Sequence, residues 1–284
     1  MIQYRKKDQG DPLIMKEREG VPYFTFPALD GTGLVKSAFS TRIGGVSQGQ
    51  FASMNFNTIL GDDIANVEEN FRRFCSAAGL DWDRAFRSYQ THTTNILEVT
   101  EDMVRPGRDF WQKSAKPDID GLVTDVPGTL LIGYFADCVP LYFLDPVCRA
   151  IGLSHSGWKG TLHRMGAVTV NTMRELYGSR PENLIVCIGP SICRDCYEVS
   201  QDVRDAFAGD FSQAWMDQVF SPNARGRYQM DLWKANELIL TEAGVLKDHV
   251  TVTNICTCCN HELLFSHRYT GGKRGNLCAF LQLL

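Results

Sequence analysis

Hydrophobic residues recur every three or four positions in one segment before residue 80. These positions form one face of a helix: Ile64, Val67, Phe71 and Phe74. Asp62 or Asp63 can cap the start of this helix, and Gly79 can end it. The pattern and its two boundary signals together predict an amphipathic helix packed against the core.

Two later segments show the same spacing. The first follows the block His155-Ser-Gly-Trp-Lys-Gly160 and ends at Gly178, with apolar residues at Leu162, Met165, Val168, Met173 and Leu176. The second covers residues 232–243, and Asp231 is its predicted cap. We therefore expect one continuous helix after the glycine-containing block and another near residue 240.

Short apolar runs between these segments predict strands. The run over residues 130–144 is interrupted at Asp137-Cys-Val-Pro140, which predicts two strands with a break between them. Further strands are expected at residues 121–126, 150–154, 183–188, 250–255 and 278–284. Because strands and helices interleave, the pattern favours a single α/β domain of packed layers over residues 1–284.

Charge and composition narrow the class of protein. The 284 residues include 29 Lys and Arg against 33 Asp and Glu, a net charge of −4. This balance argues against a broad electrostatic surface for nucleic acid or an anionic membrane. The longest apolar run is also too short and too interrupted to span a bilayer. We therefore expect neither a nucleic acid nor a membrane as partner, and the sequence identifies no protein partner.

The chain contains ten cysteines, and no apolar run follows the basic residues Arg5, Lys6 and Lys7 as it would in an export signal. A cytoplasmic location is therefore expected. In that compartment thiols stay reduced and act as core residues, metal ligands or nucleophiles.

Three residues with soft ligand atoms lie at predicted strand ends or in short polar blocks: His92, Cys138 and His155. Two imidazoles and one thiolate form a known catalytic zinc set, with the fourth position open to water or substrate. No local spacing rule joins the three residues. A lone cysteine in an apolar strand is also commonly a small buried hydrophobe, so both interpretations stay open.

Two cysteine motifs near the C-terminal half have alternatives of their own. Cys256-Thr-Cys258-Cys259-Asn-His261 is dense in metal ligands, but adjacent Cys258 and Cys259 point apart on an extended chain. The C-x-x-C pair Cys193 and Cys196 has redox-type spacing without a thioredoxin context, so coincidence is the favoured explanation.

Two glycine-bounded turns carry a cation. Lys159 lies in Gly157-Trp-Lys-Gly160 at a predicted helix start, a combination that suits phosphate or another anion. The glycines can equally serve only to permit a tight turn. Arg42 lies in the similar turn Ser40-Thr-Arg-Ile-Gly-Gly45.

Taken together, short blocks over most of the chain, from Phe39 onward, resemble the polyphenol oxidoreductase or laccase-domain family of the YfiH and YlmD type, described as purine nucleoside phosphorylases. The blocks are Phe39-Ser-Thr-Arg-Ile-Gly-Gly-Val-Ser, Met54-Asn-Phe-Asn, Gly61-Asp-Asp, Gln90-Thr-His, Asp120-Gly-Leu-Val-Thr, Ala136-Asp-Cys, His155-Ser-Gly-Trp-Lys-Gly, Gly189-Pro-Ser-Ile, Cys196-Tyr-Glu-Val and Phe265-Ser-His-Arg.

The resemblance implies an α/β sandwich with mixed sheets, shared with a cysteine-dependent bacterial toxin of the cytotoxic necrotizing factor type. It also implies zinc bound by His92, Cys138 and His155, with Cys138 and His155 in the catalytic centre. The implied reactions are phosphorolysis of adenosine, inosine and S-methyl-5'-thioadenosine to a base and a sugar 1-phosphate, and deamination of adenosine. The residues expected to bind substrate are Arg42, Gln90, Asp120, Lys159 and Tyr197.

The chain departs from the family pattern in several places. Ser156 and Lys159 replace the usual alanine and arginine, Thr91 precedes His92, and Thr270-Gly-Gly-Lys-Arg-Gly275 replaces the customary turn. Lysine keeps the charge but loses the bidentate geometry of arginine, which weakens the case for oxyanion binding by Lys159.

The laccase name can be tested separately, since multicopper oxidases need many imidazoles, commonly in His-x-His pairs. This chain has six histidines and no such pair, so a full copper cluster is not expected. Copper is the alternative metal for the predicted zinc site. Two other functions compete with the leading one: a metal-free hydrolase using Cys138 and His155, and a non-enzymatic module with structural zinc between Cys256 and His267.

Overall fold

The computed structural model of the chain describes residues 2–105, 107 and 109–284. Met1, Pro106 and Arg108 of the predicted domain 1–284 lie outside the described residues, and the single-domain organisation stays a prediction. The strands are β1 (Ile14–Arg18), β2 (Val21–Thr25), β3 (Val35–Ser40), β4 (Ala85–Arg87), β5 (Ile96–Glu98), β6 (Gly121–Thr124), β7 (Leu130–Phe135), β8 (Val139–Asp145), β9 (Ala150–Ser156), β10 (Ile185–Ile188), β11 (Glu198–Val199), β12 (Phe220–Pro222), β13 (Tyr228–Met230), β14 (Val250–Val252) and β15 (Leu277–Leu283).

These strands form two large sheets and one small sheet. Sheet 1 has the order β1-β2-β3-β15-β7-β4, sheet 2 the order β14-β10-β8-β9-β6-β5, and sheet 3 the order β11-β13-β12. Antiparallel pairs dominate, but β4 pairs with β7, β5 with β6 and β10 with β14 in parallel. Both large sheets are therefore mixed, as predicted.

Helices cover the outer faces of the two large sheets. The α-helices of the described chain are α1 (Pro27–Asp30), α2 (Ile64–Ala78), α3 (Trp158–Leu162), α4 (Met165–Tyr177), α5 (Gln201–Ala208), α6 (Gln213–Val219), α7 (Leu232–Glu242) and α8 (His267–Thr270). Apolar residues of α2 pack on sheet 1, and those of α4 and α7 pack on sheet 2. A third apolar cluster lies between the inner faces of the two sheets. The layered α/β sandwich is thus confirmed.

Strand β8 shows why its sequence is almost continuously apolar. Tyr142 and Leu144 point into the cluster between the sheets, whereas Leu141 and Phe143 point toward the helices on the other face. All of these side chains are buried. A strand buried on both faces has no polar alternation, so its sequence is a continuous hydrophobic run.

The predicted helix boundaries hold for α2 and α7. The Asp63 carboxylate accepts the backbone N–H of Ala65 at 2.8 Å, and Gly79 ends α2 in a left-handed conformation with φ of 65°. Asp231 likewise accepts from the Lys234 N–H at 2.9 Å at the start of α7.

The helix predicted after residue 157 ends at Gly178 as expected, but it is not continuous. The chain forms α3 and α4 instead, because Arg164 between them has a positive φ of 57°, which interrupts the helical path. Within the described part of the chain, no helix has the length and hydrophobicity that crossing a membrane requires.

Candidate active site

Two elements of sheet 2 and one loop bring together His92, Cys138 and His155, which we call the histidine–cysteine site. Cys138 lies in the break between β7 and β8, and His155 lies on the neighbouring strand β9, paired with Pro140. His92 reaches them from the loop between β4 and β5. The three ligand atoms all lie within 4.8 Å of one another, with His92 Nε2 3.9 Å from Cys138 Sγ.

Asp120 positions both histidines. Its Oδ1 accepts a hydrogen bond from His155 Nδ1 at 2.7 Å and from the His92 backbone N–H at 3.0 Å. Its Oδ2 accepts from the backbone N–H groups of Thr91 and Thr93 at 3.0 and 2.9 Å. The Asp120 side chain is fully buried. Because Nδ1 of His155 is engaged, Nε2 is the ring atom left for a metal, an arrangement common in zinc sites.

Gly157 leaves room for this arrangement. A Cβ atom at this position would lie 3.0 Å from Cys138 Sγ and 3.1 Å from His92 Cδ2. Both contacts are too close for comfortable packing, so a side chain here would push against two of the three ligand residues. The glycine before α3 therefore serves the site and not only the turn.

The charges of Cys138, His155 and Asp120 stabilise one another. Burial alone raises the pKa of the Cys138 thiol, but His155 and His92 outweigh it and lower the pKa to about 6. Burial lowers the pKa of His155, whereas Cys138 and Asp120 together raise it to about 9. For Asp120, the hydrogen bond and charge of His155 overcome burial and lower the pKa to about 2. At neutral pH the metal-free site thus contains a thiolate, an imidazolium and a carboxylate.

These three residues fit a catalytic zinc ion. They offer two imidazole nitrogens and one thiolate, which leaves a fourth tetrahedral position for water or substrate. The ligands differ in exposure, since His155 is buried, Cys138 is half-buried and His92 is exposed. A metal held here would therefore be reached from the His92 side.

A cavity of about 630 Å³ opens onto the site. Its wall includes all three residues of the histidine–cysteine site, together with aromatic side chains and two arginines. Those additional residues are Phe56, Tyr89, Trp111, Tyr134, Arg87 and Arg274. The combination of apolar rings, cations and potential metal ligands suits a flat, polar organic ligand with an anionic partner.

The structure brings some of the predicted substrate residues to this cavity. Gln90 lines it, but its amide is already engaged, because Nε2 donates to the Tyr134 carbonyl at 2.8 Å and Oε1 accepts from the Tyr134 N–H at 2.6 Å. Gln90 therefore holds the β7 edge in place. Asp120 contacts the His155 ring through the hydrogen bond to Nδ1.

Arg42, Lys159 and Tyr197 are not among the described residues that line the cavity. Arg42 donates to the carbonyls of Ala52 and His261 at 2.9 and 3.1 Å. Lys159 is exposed, with Nζ 5.7 Å from the Trp158 ring centre. The Tyr197 ring lies 5.1 Å from the Arg268 guanidinium. Arg42 and Lys159, both expected to bind substrate, thus lie outside the described lining of this cavity.

Two cations of the cavity were missed in the sequence. Arg87 ends β4, and its guanidinium lies 4.6 Å from the centres of both the Phe110 and Trp111 rings. Arg274 lies in the turn that departs from the family pattern, and it donates to Asn276 Oδ1 at 2.6 Å. The Nε atoms of both arginines are buried without a hydrogen-bond partner among the described residues. The only feature of the sequence that pointed to either arginine was the basic turn around Arg274.

A second group of possible metal ligands lies outside the cavity. We call it the four-cysteine cluster: Cys193, Cys196, Cys256 and Cys259. The first C-x-x-C pair, for which coincidence was the favoured explanation, thus belongs to a group of residues that could hold a metal ion. Cys258 and His261 do not belong to the cluster, and the His261 ring instead stacks on Tyr269 with 3.4 Å between ring centres. All ten cysteines lie among the described residues, and none of them is paired in a disulfide.

Comparison with known proteins supports one family. The chain is 35% identical to the purine nucleoside phosphorylase YlmD of Bacillus subtilis, over 87% of this chain and 88% of that protein. It is 31% identical to the adenosine deaminase RL5 of an unknown prokaryotic organism, over 84% of this chain and 90% of that protein.

A solved structure shows the same fold. The hypothetical protein YfiH of Bacillus licheniformis superposes with a TM-score of 0.88 at 31% identity, covering 97% of this chain and all of that one. The family model described as multi-copper polyphenol oxidoreductase laccase matches residues 36–284. The chain therefore belongs to the multi-copper polyphenol oxidoreductase laccase family, which also contains the YfiH and YlmD proteins.

Proposed function

We propose that this protein is a zinc-dependent purine nucleoside phosphorylase that also deaminates adenosine. The observation that carries the proposal is the histidine–cysteine site in the wall of a cavity rich in aromatic and cationic side chains. The relatives named purine nucleoside phosphorylase and adenosine deaminase support the same chemistry. The proposed substrates are adenosine, inosine and S-methyl-5'-thioadenosine, with inorganic phosphate.

Zinc would be held by His92, Cys138 and His155. When bound with an open position, it supplies Lewis acidity and activation of water near neutral pH, which deamination of a purine requires. Asp120 keeps the His155 ring oriented through the 2.7 Å hydrogen bond to Nδ1. Copper is the alternative metal at this ligand set.

The cavity offers distinct surfaces for the base and for phosphate. The Tyr89 and Trp111 rings line it and can stack on a purine. Arg274 and Arg87 are the cations of this wall, and each has a buried Nε without a partner among the described residues. A phosphate bound in the cavity would lie next to these two positive charges, which favour an anion. We therefore assign phosphate binding to Arg87 and Arg274 in place of Arg42 and Lys159.

Product analysis tests the proposal. Zinc-loaded enzyme with adenosine and phosphate should give adenine and ribose 1-phosphate, and inosine should appear by deamination. Omitting phosphate should abolish adenine release but not inosine formation. Arg274→Ala should raise the KM for phosphate. Lys159→Ala is the control: it removes an exposed cation that does not line the cavity, and it should leave the KM for phosphate unchanged. Absence of both products from zinc-loaded enzyme would contradict the proposal.

One observation favours a second function. The pKa of Cys138 is lowered to about 6 next to the imidazole of His155, the pairing found in cysteine hydrolases. In that case Cys138 would attack an amide directly and His92 would have no ligand role. Activity on amides in metal-free protein would support this alternative over the first.

A further inference from the structure

The four-cysteine cluster joins two loops that are far apart in the sequence. Cys193 and Cys196 follow β10, whereas Cys256 and Cys259 follow β14, 63 positions later in each case. Each pair has a two-residue gap, the spacing that lets both sulfurs of a turn face one ion. The adjacent Cys258 concealed this second C-x-x-C pair in the sequence.

The sulfur positions fit a tetrahedral metal better than disulfides. The four Sγ atoms lie within 4.8 Å of one another, with 3.5 Å between Cys196 and Cys259 and 4.0 Å between Cys193 and Cys259. Four Zn–S bonds of about 2.3 Å in a tetrahedron place sulfurs about 3.8 Å apart. A disulfide requires about 2.05 Å between its sulfurs.

Backbone and charge contacts also favour thiolates in this cluster. The backbone N–H groups of Cys193 and Cys259 donate to the Cys256 sulfur at 3.2 and 3.4 Å. The Lys7 ammonium, which pairs with Asp195 at 2.9 Å, interacts electrostatically with the Cys193 and Cys259 thiols. Both kinds of contact stabilise negative charge on sulfur.

We propose that the four-cysteine cluster binds one zinc ion as a closed structural site. Four thiolates fill the tetrahedral positions, so no position remains for water or substrate. This role is separate from the proposed enzymatic function, which uses the histidine–cysteine site.

The bound ion would hold the two cysteine loops together, and other segments of the chain contact these loops. The N-terminal segment joins the Cys256 loop through the 2.9 Å bond from Lys7 N–H to the Asn254 carbonyl. Next to Cys256, the Thr257 hydroxyl donates to Asp137 Oδ1 at 2.6 Å, and Asp137 precedes Cys138. The zinc site would therefore stabilise the loops that support the strand break at Cys138.

Metal counting on variants of the full chain tests this proposal. Replacing a half-buried ligand, in Cys259→Ser or Cys196→Ser, should lower the zinc content by about one per chain and lower the Tm. Cys258→Ser is the matched control and should keep wild-type zinc and Tm. Adding Cys259→Ser to the His92→Ala variant should again lower the zinc content by one per chain. This result would separate the four-cysteine cluster from the proposed active site.

A spectroscopic measurement that leaves all four cysteines in place avoids dependence on a cysteine variant that fails to fold. Cobalt substituted into the His92→Ala protein should give the intense thiolate-to-metal absorption of a four-sulfur tetrahedral site. Unchanged zinc content in Cys259→Ser, loss of zinc in Cys258→Ser, or iron in place of zinc in the purified protein would overturn the proposal.

Discussion

At the scale of single residues, Asp120 determines the geometry of the candidate active site. The carboxylate is buried, yet hydrogen bonds to His155 and to the backbone of residues 91–93 compensate its charge. The same group therefore fixes the His155 ring and the loop that carries His92. A buried carboxylate with this many donors is costly to remove, since each donor would lose its acceptor.

Asp120→Asn should weaken zinc binding at the histidine–cysteine site by about 10–100-fold, the usual effect of losing a carboxylate behind a ligand histidine. The amide keeps the size of the side chain but not its charge. Competition with a chromogenic chelator measures the affinity. Asp118→Asn is the control, because the exposed Asp118 accepts from the Thr91 hydroxyl without touching either histidine. Equal affinities in both variants would contradict the assigned role.

Cys138 should react with iodoacetamide in the metal-free protein with a pH midpoint near 6, because His155 and His92 overcome burial and lower its pKa to about 6. Above that pH the thiolate, the reactive form, predominates. Bound zinc should protect it, since the sulfur is then a ligand. Peptide mapping across a pH series measures the reaction at each site. Cys148, whose pKa is raised by burial and by Asp145, is the internal control and should react only at higher pH.

At the scale of elements, a helix or strand could be predicted from the sequence when the residues that fix its bounds lie within the segment itself. Helix α2 has its cap, apolar face and terminal glycine within the segment itself, so its bounds were predictable. The break between α3 and α4 depends on the backbone of Arg164, which periodicity does not show. Strands β1–β3, helices α5 and α6 and sheet 3 were not predicted, and each of their segments is eight residues long or shorter.

Asp63→Ala should destabilise the protein by about 1 kcal/mol, because the Ala65 N–H at the start of α2 loses its acceptor. Denaturant unfolding followed by circular dichroism gives the change in free energy. Asp63→Asn and Asp63→Ser should keep most of the stability, since both side chains still cap. If Asp63→Ala matched these two variants, the capping contribution would be negligible.

At the scale of the whole molecule, long-range pairing decides which side chains meet. The histidine–cysteine site was anticipated because its three residues lie in blocks shared with the family. The cationic wall was not, because Arg87 and Arg274 come together only when β15 inserts between β3 and β7. The four-cysteine cluster likewise forms only through the parallel pairing of β10 with β14. No local pattern specifies such contacts.

The two proposed metal sites should respond differently to a chelator. Brief treatment should remove zinc from the histidine–cysteine site first, because His92 is exposed and one position is open, whereas the four-cysteine cluster is closed. Phosphorolysis should then stop, and added zinc should restore it. The Tm should barely change, because the packing of the apolar layers does not depend on that ion.

His92→Ala should reproduce the loss of activity and be nearly as damaging as Cys138→Ala. Activity and zinc content measured over the same time course provide the comparison. If activity survives complete metal removal and His92→Ala is tolerated, the zinc mechanism is wrong, and the Cys138–His155 hydrolase accounts for the site.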